Sequence, residues 1–206
     1  MGEDKALLEL GGQPLVEIAV EKLREFCAVV SIAGNRSDLA GFAPVVKETR
    51  VDAGPGAGME AGLGASQQDW CLFVPVDVPL VPVELLRRWT QMMLGAEDEP
   101  GAEVFGPLVC SYLRVAGRPQ PAFCLLKRRA LPVVTRELER GNRKLEVLFA
   151  ALQEEFGVAS VIEADAAKFS PKHDVAVIDL EAWFANLNTP REFAEAEAWA
   201  AHLMGE

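Results

Sequence analysis

Asp77 is the residue of this sequence whose surroundings most strongly indicate chemistry. It ends the apolar run Cys71–Val76 and is followed by Pro79 and Pro82. A lone carboxylate beside so much hydrocarbon is costly unless a cation meets it. Mg²⁺ is a suitable cation because it takes one or two protein carboxylates and leaves its other positions to water and phosphate oxygens. The alternative is that Asp77 caps the helix predicted over Val83–Met93, and these residues alone leave both interpretations open.

A glycine-rich segment offers a second candidate site. Gly54, Gly56 and Gly58 lead into a predicted helix over Met59–Ser66, where backbone amides and the helix dipole could face an anion. The segment lacks the Gly-Lys-Ser/Thr ending of a P-loop. A plain tight turn therefore remains an alternative to a phosphate site.

Basic residues cluster in the second half of the chain, against a formal net charge of −11. The cluster comprises Arg118, Lys127, Arg128, Arg129, Arg136, Arg140, Arg143 and Lys144. It is either a solvated helix face or an electropositive cleft for a phosphorylated substrate.

The elements that must position these residues alternate between strands and helices. Strands are predicted over Ala28–Asn35, Val45–Val46, Cys71–Val76, Val104–Val115, Ala122–Leu126 and Gly157–Ile162, and helices over Pro14–Phe26, Met59–Ser66, Val83–Met93 and from Pro190 onward. This alternation predicts a single α/β layered domain over residues 1–206, with a mostly parallel sheet. Asp77 and Asn35 then follow strand ends, where ligands bind in such sheets.

Composition excludes several classes of protein. The charge of −11 argues against a general affinity for nucleic acid or for an anionic membrane. No apolar run approaches the roughly 20 residues of a membrane helix, and the start has no signal-peptide pattern. The four scattered cysteines are typical of buried, reduced thiols. A cytoplasmic protein is expected.

Five segments resemble one family, in order along the chain. They are MGEDKALLELGGQPLVE, SIAGNRS, GPGAGMEAGL, LFVPVDVPLVP and FANLNTP. Together they resemble the bacterial molybdenum cofactor guanylyltransferases, within the Rossmann-like nucleotidyltransferases. The stretch Gly117–Phe149 is similar in layout to the cofactor-side region of that family. The resemblance implies a nucleotide-side half over residues 1–95 and an acceptor-side half over residues 103–206.

The resemblance also implies a reaction: transfer of GMP from GTP to the terminal phosphate of molybdopterin, with Mg²⁺ and release of pyrophosphate. Further partners would be acceptor molybdoenzymes or their chaperones. Lys5 and Asp77 match catalytic residues, and Asp77 matches the magnesium ligand. The implied nucleotide-binding residues are Lys5, Asn35, Glu48, Gly54 and Gly56, and the implied acceptor-binding residues are Gln120, Arg143, Lys144, Asn186 and Asn188.

The sequence departs from the family pattern in three places. Glu48 stands where the family commonly has Asp, and GPGAG replaces GPLAG. The family's opening strand and its LAGGxSxR loop would precede the first residues of this chain, so the first strand of the sheet is expected to be missing.

Two alternative functions remain open. One is a molybdenum cofactor cytidylyltransferase that uses CTP, and the other is a truncated, non-catalytic nucleotide- or cofactor-binding protein.

Overall fold

The computed structural model describes residues 5–50, 53–95, 108–172, 176–187 and 189–204. The strands are β1 (Glu9–Leu10), β2 (Gln13–Pro14), β3 (Ile32–Ala33), β4 (Val45–Val46), β5 (Trp70–Phe73), β6 (Cys110–Val115), β7 (Arg118–Lys127) and β8 (Val161–Asp165). The α-helices are α1 (Leu15–Arg24), α2 (Pro55–Ala65), α3 (Val83–Gly95), α4 (Leu131–Glu139), α5 (Leu145–Phe156), α6 (Val177–Trp183) and α7 (Pro190–Met204). Within these ranges, no helix combines the length and the apolar character needed to cross a membrane.

The predicted α/β class is confirmed, but the main sheet is mixed rather than mostly parallel. Its strand order is β5-β7-β6-β8, with β7 antiparallel to both β5 and β6, and β6 parallel to β8. The reason is the turn between β6 and β7, where Ala116 and Gly117 have φ of 47° and 79°. A two-residue turn with positive φ at both positions closes a hairpin, and a hairpin pairs its strands antiparallel.

Helices cover both faces of this sheet. A core cluster on one face joins α2, α4 and α5 to residues of β6 and β7. A second cluster on the other face joins α3 and α6 to the same strands. Successive β5 side chains alternate between the clusters, since Cys71 and Phe73 pack against the first, and Trp70 and Leu72 against the second. The alternation is the ordinary two-residue period of a strand.

The strands of the first half are shorter and less buried than predicted. The predicted strand Ala28–Asn35 is reduced to β3, and Val29 is 69% exposed. β5 ends at Phe73, and all four of its residues are half-buried. Within the described residues, β3 pairs only with β4, and β5 pairs only with β7. In the part of the chain that the structure describes, these two strands therefore have no second neighbouring strand to bury their other edge.

A buried carboxylate fixes the connection between α4 and α5. Glu137 is 4% exposed and accepts hydrogen bonds from Asn142 Nδ2 and Arg140 Nη1, both at 2.7 Å. Its backbone carbonyl accepts a further bond from the Asn142 amide at 3.0 Å. The Asn142 hydrogen bond and the Arg140 charge lower the pKa of Glu137 below its ordinary value of 4.5. The connection that precedes Lys144 is thus anchored to α4.

The close approach of α2 to β5 gives a first prediction. A methyl group on Gly62 would lie 2.8 Å from Cε1 of Phe73, whereas one on Gly64 would meet nothing within 4 Å. Replacing either helical glycine by alanine gains roughly 0.5–1 kcal/mol of helix propensity. At Gly62, overpacking opposes that gain by about 1–3 kcal/mol. In urea unfolding, Gly64→Ala should be more stable than wild type, and Gly62→Ala should be less stable than Gly64→Ala. Equal stability of the two variants would contradict this packing.

The Glu137 network gives a second prediction, with Glu139 on the same helix as its matched control. Glu137→Ala removes hydrogen bonds to charged and amide donors, and should lower the free energy of unfolding by about 1–3 kcal/mol. The Glu139 side chain is 63% exposed, 3.6 Å from Arg50, so Glu139→Ala should change stability by less than roughly 0.5 kcal/mol.

The pH dependence of the Glu137 effect follows from the direction of its pKa. Because the folded state lowers that pKa, the carboxylate stabilises the fold above the ordinary value of 4.5, and this contribution is lost as the pH falls through the folded-state pKa. The stability gap between wild type and Glu137→Ala should narrow in acid. A gap that stays constant down to pH 3 would show that the carboxylate charge is not responsible.

Candidate functional site

Lys5 and Asp77 meet in an ion pair. Lys5 begins a short 3-10 helix, Lys5–Leu7, and its Nζ donates to Oδ2 of Asp77 at 3.0 Å. The side chains are 48% and 21% exposed, so solvent and ligands can reach both. Asp77 does not cap α3, because that helix begins only at Val83.

The segment that contains Asn186 reaches the same place. Leu187 is buried, and its amide donates to the carbonyl oxygen of Asp77 at 2.8 Å. Asn186, its neighbour in the chain, is exposed. The apolar run before Asn186 could have formed a strand that ends at Asn186 and Asn188, but Asn186 lies in an irregular segment after α6. Asn188 lies outside the described residues.

The apolar run before Asn186 forms a helix because its buried residues are spaced for one. Leu180 and Trp183 are buried and three positions apart, while Val177 and Ile178 are 61% and 74% exposed. Residues three apart share one face of a helix. The run therefore turns one face to the core and leaves the other in solvent.

Asn35 and Glu48 follow the two strands of the small parallel sheet. The Ile32 of β3 pairs with Val45 of β4, and the Gly34 amide donates to the Val46 carbonyl at 3.0 Å. Since the strands are parallel, both residues lie beyond the same edge of the sheet. Asn35 is exposed and Glu48 is half-buried.

Glu48 lies against α2. Its Oε1 would be 3.2 Å from a methyl group on Gly58, and burial raises the pKa of its carboxyl above the ordinary value. A bulkier residue in place of Gly58 would displace this side chain. The position of the Glu48 side chain between β4 and α2 therefore depends on glycine at position 58.

Gly54 and Gly56 have different structural roles. Gly54 is the N-cap residue of α2, with φ +70° and ψ −167°, a conformation that favours glycine. Gly56 is buried inside the first turn, where a methyl group would lie 3.0 Å from Leu148 and 3.1 Å from Leu138. The helix begins at Pro55 rather than at the predicted Met59, because proline suits a first helical position. Only Gly54 of this pair stands at the exposed helix start.

Two of the eight clustered basic residues stand beside that helix start. A methyl group on Gly54 would lie 3.6 Å from the carbonyl oxygen of Arg143, and both Arg143 and Lys144 are exposed. No ion pair to either is present among the described residues. Arg143 is therefore the member of the basic cluster whose backbone approaches the start of α2.

The other members of the basic cluster are mostly engaged with acceptors. Arg136 pairs with Glu155 at 3.1 Å, and Lys127 with Asp69 at 3.3 Å. Arg129 donates to the carbonyl of Leu108 at 3.1 Å. At those positions, the basic side chains have partners within the protein itself.

Gln120, the remaining acceptor-side residue, lies on a strand. It belongs to β7 and is paired with Leu113 of β6, next to a register shift in the hairpin. Residues 118–121, which separate the two predicted strands Val104–Val115 and Ala122–Leu126, are therefore the first part of β7. Gln120 is half-buried on this hairpin.

A divalent metal at this site would rely on one protein carboxylate and on the substrate. In the described part of the chain, no group of three or more His, Cys, Asp or Glu side chains could hold a metal by itself. Mg²⁺ commonly takes one or two carboxylates and completes its shell with water and phosphates. The Asp77 carboxylate, partly exposed and already facing a cation, fits that mode.

Sequence reasoning missed Lys22, a residue close to the Asp77 loop. Lys22 lies on α1 four positions after Ile18 and four before Phe26, so it falls on the predicted apolar face of that helix. A charged residue on an apolar stripe was the available signal. Its Nζ donates to the carbonyls of Pro79 and Val81.

Three comparisons with known proteins bear on this geometry. The chain is 32% identical over 197 residues to the molybdenum cofactor guanylyltransferase of Vibrio cholerae, covering 94% of this chain and 83% of that protein. Molybdopterin-guanine dinucleotide biosynthesis protein A from Archaeoglobus fulgidus has the same fold, with a TM-score of 0.71 at 21% identity, covering 98% of this chain and 92% of that chain. The 2-C-methyl-D-erythritol 4-phosphate cytidylyltransferase of Thermus thermophilus is also similar in fold, with a TM-score of 0.61 at 16% identity over 96% of this chain and 94% of that one.

A family model covers most of the chain as well. The model of the MobA-like NTP transferase domain matches residues 1–156, which include Lys5, Asp77, Gly54 and Arg143. The match and the Vibrio relative agree with the family suggested by the sequence motifs. The chain belongs to the MobA-like NTP transferase family.

Proposed function

We propose that this chain transfers GMP from GTP to molybdopterin, with release of pyrophosphate. The observation that carries the proposal is the Lys5–Asp77 pair at 3.0 Å, in a chain 32% identical over 94% of its length to a molybdenum cofactor guanylyltransferase. A cation and a carboxylate side by side at an accessible point suit a triphosphate and its counter-ion.

The reaction needs alignment and charge neutralisation more than proton transfer. An oxygen of the molybdopterin phosphate attacks the α-phosphorus of GTP and forms a new P–O bond. The bond between the α-phosphorus and its bridging oxygen breaks, and pyrophosphate leaves with that electron pair. A phosphate monoester is already ionised near neutral pH, so no general base is required. The protein must hold the two phosphates in line and offset the growing charge.

Lys5 and Asp77 would divide the task of handling charge. Asp77 would hold Mg²⁺, which when bound neutralises charge on the nucleotide phosphates. Lys5 would offset the charge that develops on the leaving pyrophosphate. In the free protein the two side chains neutralise each other, and both are exposed enough to exchange that contact for the substrate and its metal.

The remaining residues would divide between two substrates. Asn35, Glu48, Gly54 and Gly56 form the proposed nucleotide side, within residues 1–95. Arg143, Lys144, Gln120, Asn186 and Asn188 form the proposed acceptor side, within residues 103–206. The close approach of Gly54 to the Arg143 backbone brings the start of α2 next to the segment that carries the exposed Arg143 and Lys144 side chains, which supports an arrangement in which the two phosphates meet between these halves. Acceptor molybdoenzymes or their chaperones would receive the product.

The role of Asp77 gives a third prediction, with Asp69 at the other end of β5 as its control. Asp77→Asn keeps the shape of the side chain but removes its charge, and should lower Mg²⁺-dependent GMP transfer by roughly 10²-fold or more. The Asp69 side chain is 68% exposed and pairs with Lys127 of the neighbouring strand at 3.3 Å, so Asp69→Asn should retain wild-type turnover. Pyrophosphate release would be measured for both. Undiminished activity of Asp77→Asn, in protein with wild-type stability, would reject the assignment.

The choice of base gives a fourth prediction. A site built to hydrogen-bond one base rejects another because its polar groups are left unpaired. Unlabelled GTP should displace bound labelled GTP at a concentration at least about tenfold lower than CTP does. Equal or stronger competition by CTP would instead assign the chain to cytidylyl transfer. Binding of molybdopterin without any pyrophosphate release would indicate a non-catalytic carrier.

A further inference from the structure

Lys22 places a charged group in apolar surroundings and gives it two backbone partners. Its Nζ donates to the carbonyl of Val81 at 3.0 Å and to the carbonyl of Pro79. The same small cavity is lined by Val74, Val78 and Leu86. Since an ammonium group in such surroundings is costly unless it is hydrogen-bonded, these two carbonyls account for its position.

The segment that Lys22 holds is the one that carries Asp77. The Asp77 segment, residues 77–82, is the last part of the connection from β5 to α3 and has no helix or strand, and Pro79 and Pro82 contribute no amide donors. At its start, the Asp77 carbonyl accepts from Leu187, and at its end the Pro82 carbonyl accepts from Leu85. Lys22 supplies the contacts in the middle of the segment.

The other half of the ion pair is attached to the same helix. The amide of Leu15, the first residue of α1, donates to the carbonyl of Leu8 at 2.9 Å, and Leu8 donates to the carbonyl of Lys5 at 3.2 Å. Helix α1 therefore connects to Lys5 at one end and, through Lys22, to the Asp77 segment near the other. Resting on the proposed function, we infer that Lys22 is a positioning residue that holds the Asp77 carboxylate in place for Mg²⁺ and GTP.

The electrostatics of Lys22 are consistent with this role. Burial lowers the pKa of Lys22 to about 8, and the negative charge of Glu25 opposes the shift. Glu25 in turn pairs with Arg87 of α3 at 2.9 Å. The ammonium form thus persists at neutral pH. A methionine of similar length would fill the same space and would bury no charge. We therefore assign the function of the Lys22 ammonium group to its hydrogen bonds with the Pro79 and Val81 carbonyls.

Lys22→Met tests the inference, and Arg24→Met is its matched control. Arg24 lies on the same helix and donates to a backbone carbonyl, that of Phe42 at 2.6 Å, away from the Asp77 segment. In protein without metal or nucleotide, hydrogen exchange at the amides of Leu187 and Leu85, which donate to the carbonyls of Asp77 and Pro82 at the two ends of the segment, should be about tenfold faster in Lys22→Met, the equivalent of one lost charged hydrogen bond. It should be unchanged in Arg24→Met.

The second measurement is the Mg²⁺ concentration that half-saturates GTP binding in equilibrium dialysis. Lys22→Met should raise this midpoint roughly five- to tenfold, and Arg24→Met should leave it unchanged. Partial unfolding would lower the amount of GTP bound without moving the midpoint, so the midpoint separates positioning from stability. In the Asp77→Asn background, Lys22→Met should have no further effect, because its influence passes through that carboxylate.

The outcomes separate this inference from the function on which it rests. If wild-type protein binds no GTP with Mg²⁺, the proposed function is overturned, and the role of Lys22 in it as well. If the wild type binds and Asp77→Asn does not, but Lys22→Met keeps the wild-type midpoint, only the role of Lys22 is overturned. An additive effect of Lys22→Met in the Asp77→Asn background would likewise overturn it.

Discussion

The contact between Lys5 and Asp77 joins residues 72 positions apart, and the candidate site is organised around it. Both side chains are partly exposed, so the pair itself stabilises the fold by no more than about 1 kcal/mol. It cannot hold its own segments in place. That task falls to backbone hydrogen bonds made by Lys22 and Leu187. The division is suited to a site that must open to a charged ligand, because a weak pair can be exchanged while its supports remain fixed.

Around the start of α2, the positive charges of the basic cluster also differ in how far they are paired. The chain carries a net charge of −11, and most of its clustered cations either pair with nearby carboxylates or donate to backbone carbonyls. Arg143 and Lys144 remain exposed beside the start of α2. A buried carboxylate, Glu137, fixes the loop that leads to them. An anionic substrate would therefore be attracted by a local feature, against the field of the whole molecule.

The sequence predicted those elements whose signals are local. Helices α1 and α3 show apolar residues at helical spacing, and β4 and the position of Asp77 after β5 follow from short apolar runs bounded by turn residues. The hairpin of β6 and β7 was not predictable in the same way, because its turn uses Ala116 at a positive φ where turn chemistry favours Gly, Asn or Asp. Tertiary packing also decided the start of α2, where Gly56 fits between Leu138 and Leu148.

The site residues divide along the same line. Lys5, Asp77 and Gly54 could be predicted from motifs, and the structure brings Lys5 to Asp77 and Gly54 to Arg143. Lys22 and the Leu187 amide donate to backbone carbonyls that are distant in sequence. Such contacts carry no short-range pattern, so only the folded chain reveals them.

The hydrogen bond from Leu187 to Asp77 has a consequence for how this chain could be dissected. The family match ends at residue 156, yet Trp183, Phe184 and Leu187 are 1%, 7% and 1% exposed in the folded core. A truncation at the boundary of the match would remove Trp183 and Phe184 from the core cluster that contains α3, and would leave the Asp77 carbonyl without its donor, the Leu187 amide. The stretch that matches the family model, residues 1–156, is thus shorter than the folded core, which includes Leu187. Trp183, Phe184 and Leu187, which lie beyond the family match, are therefore part of the folded core that supports the site.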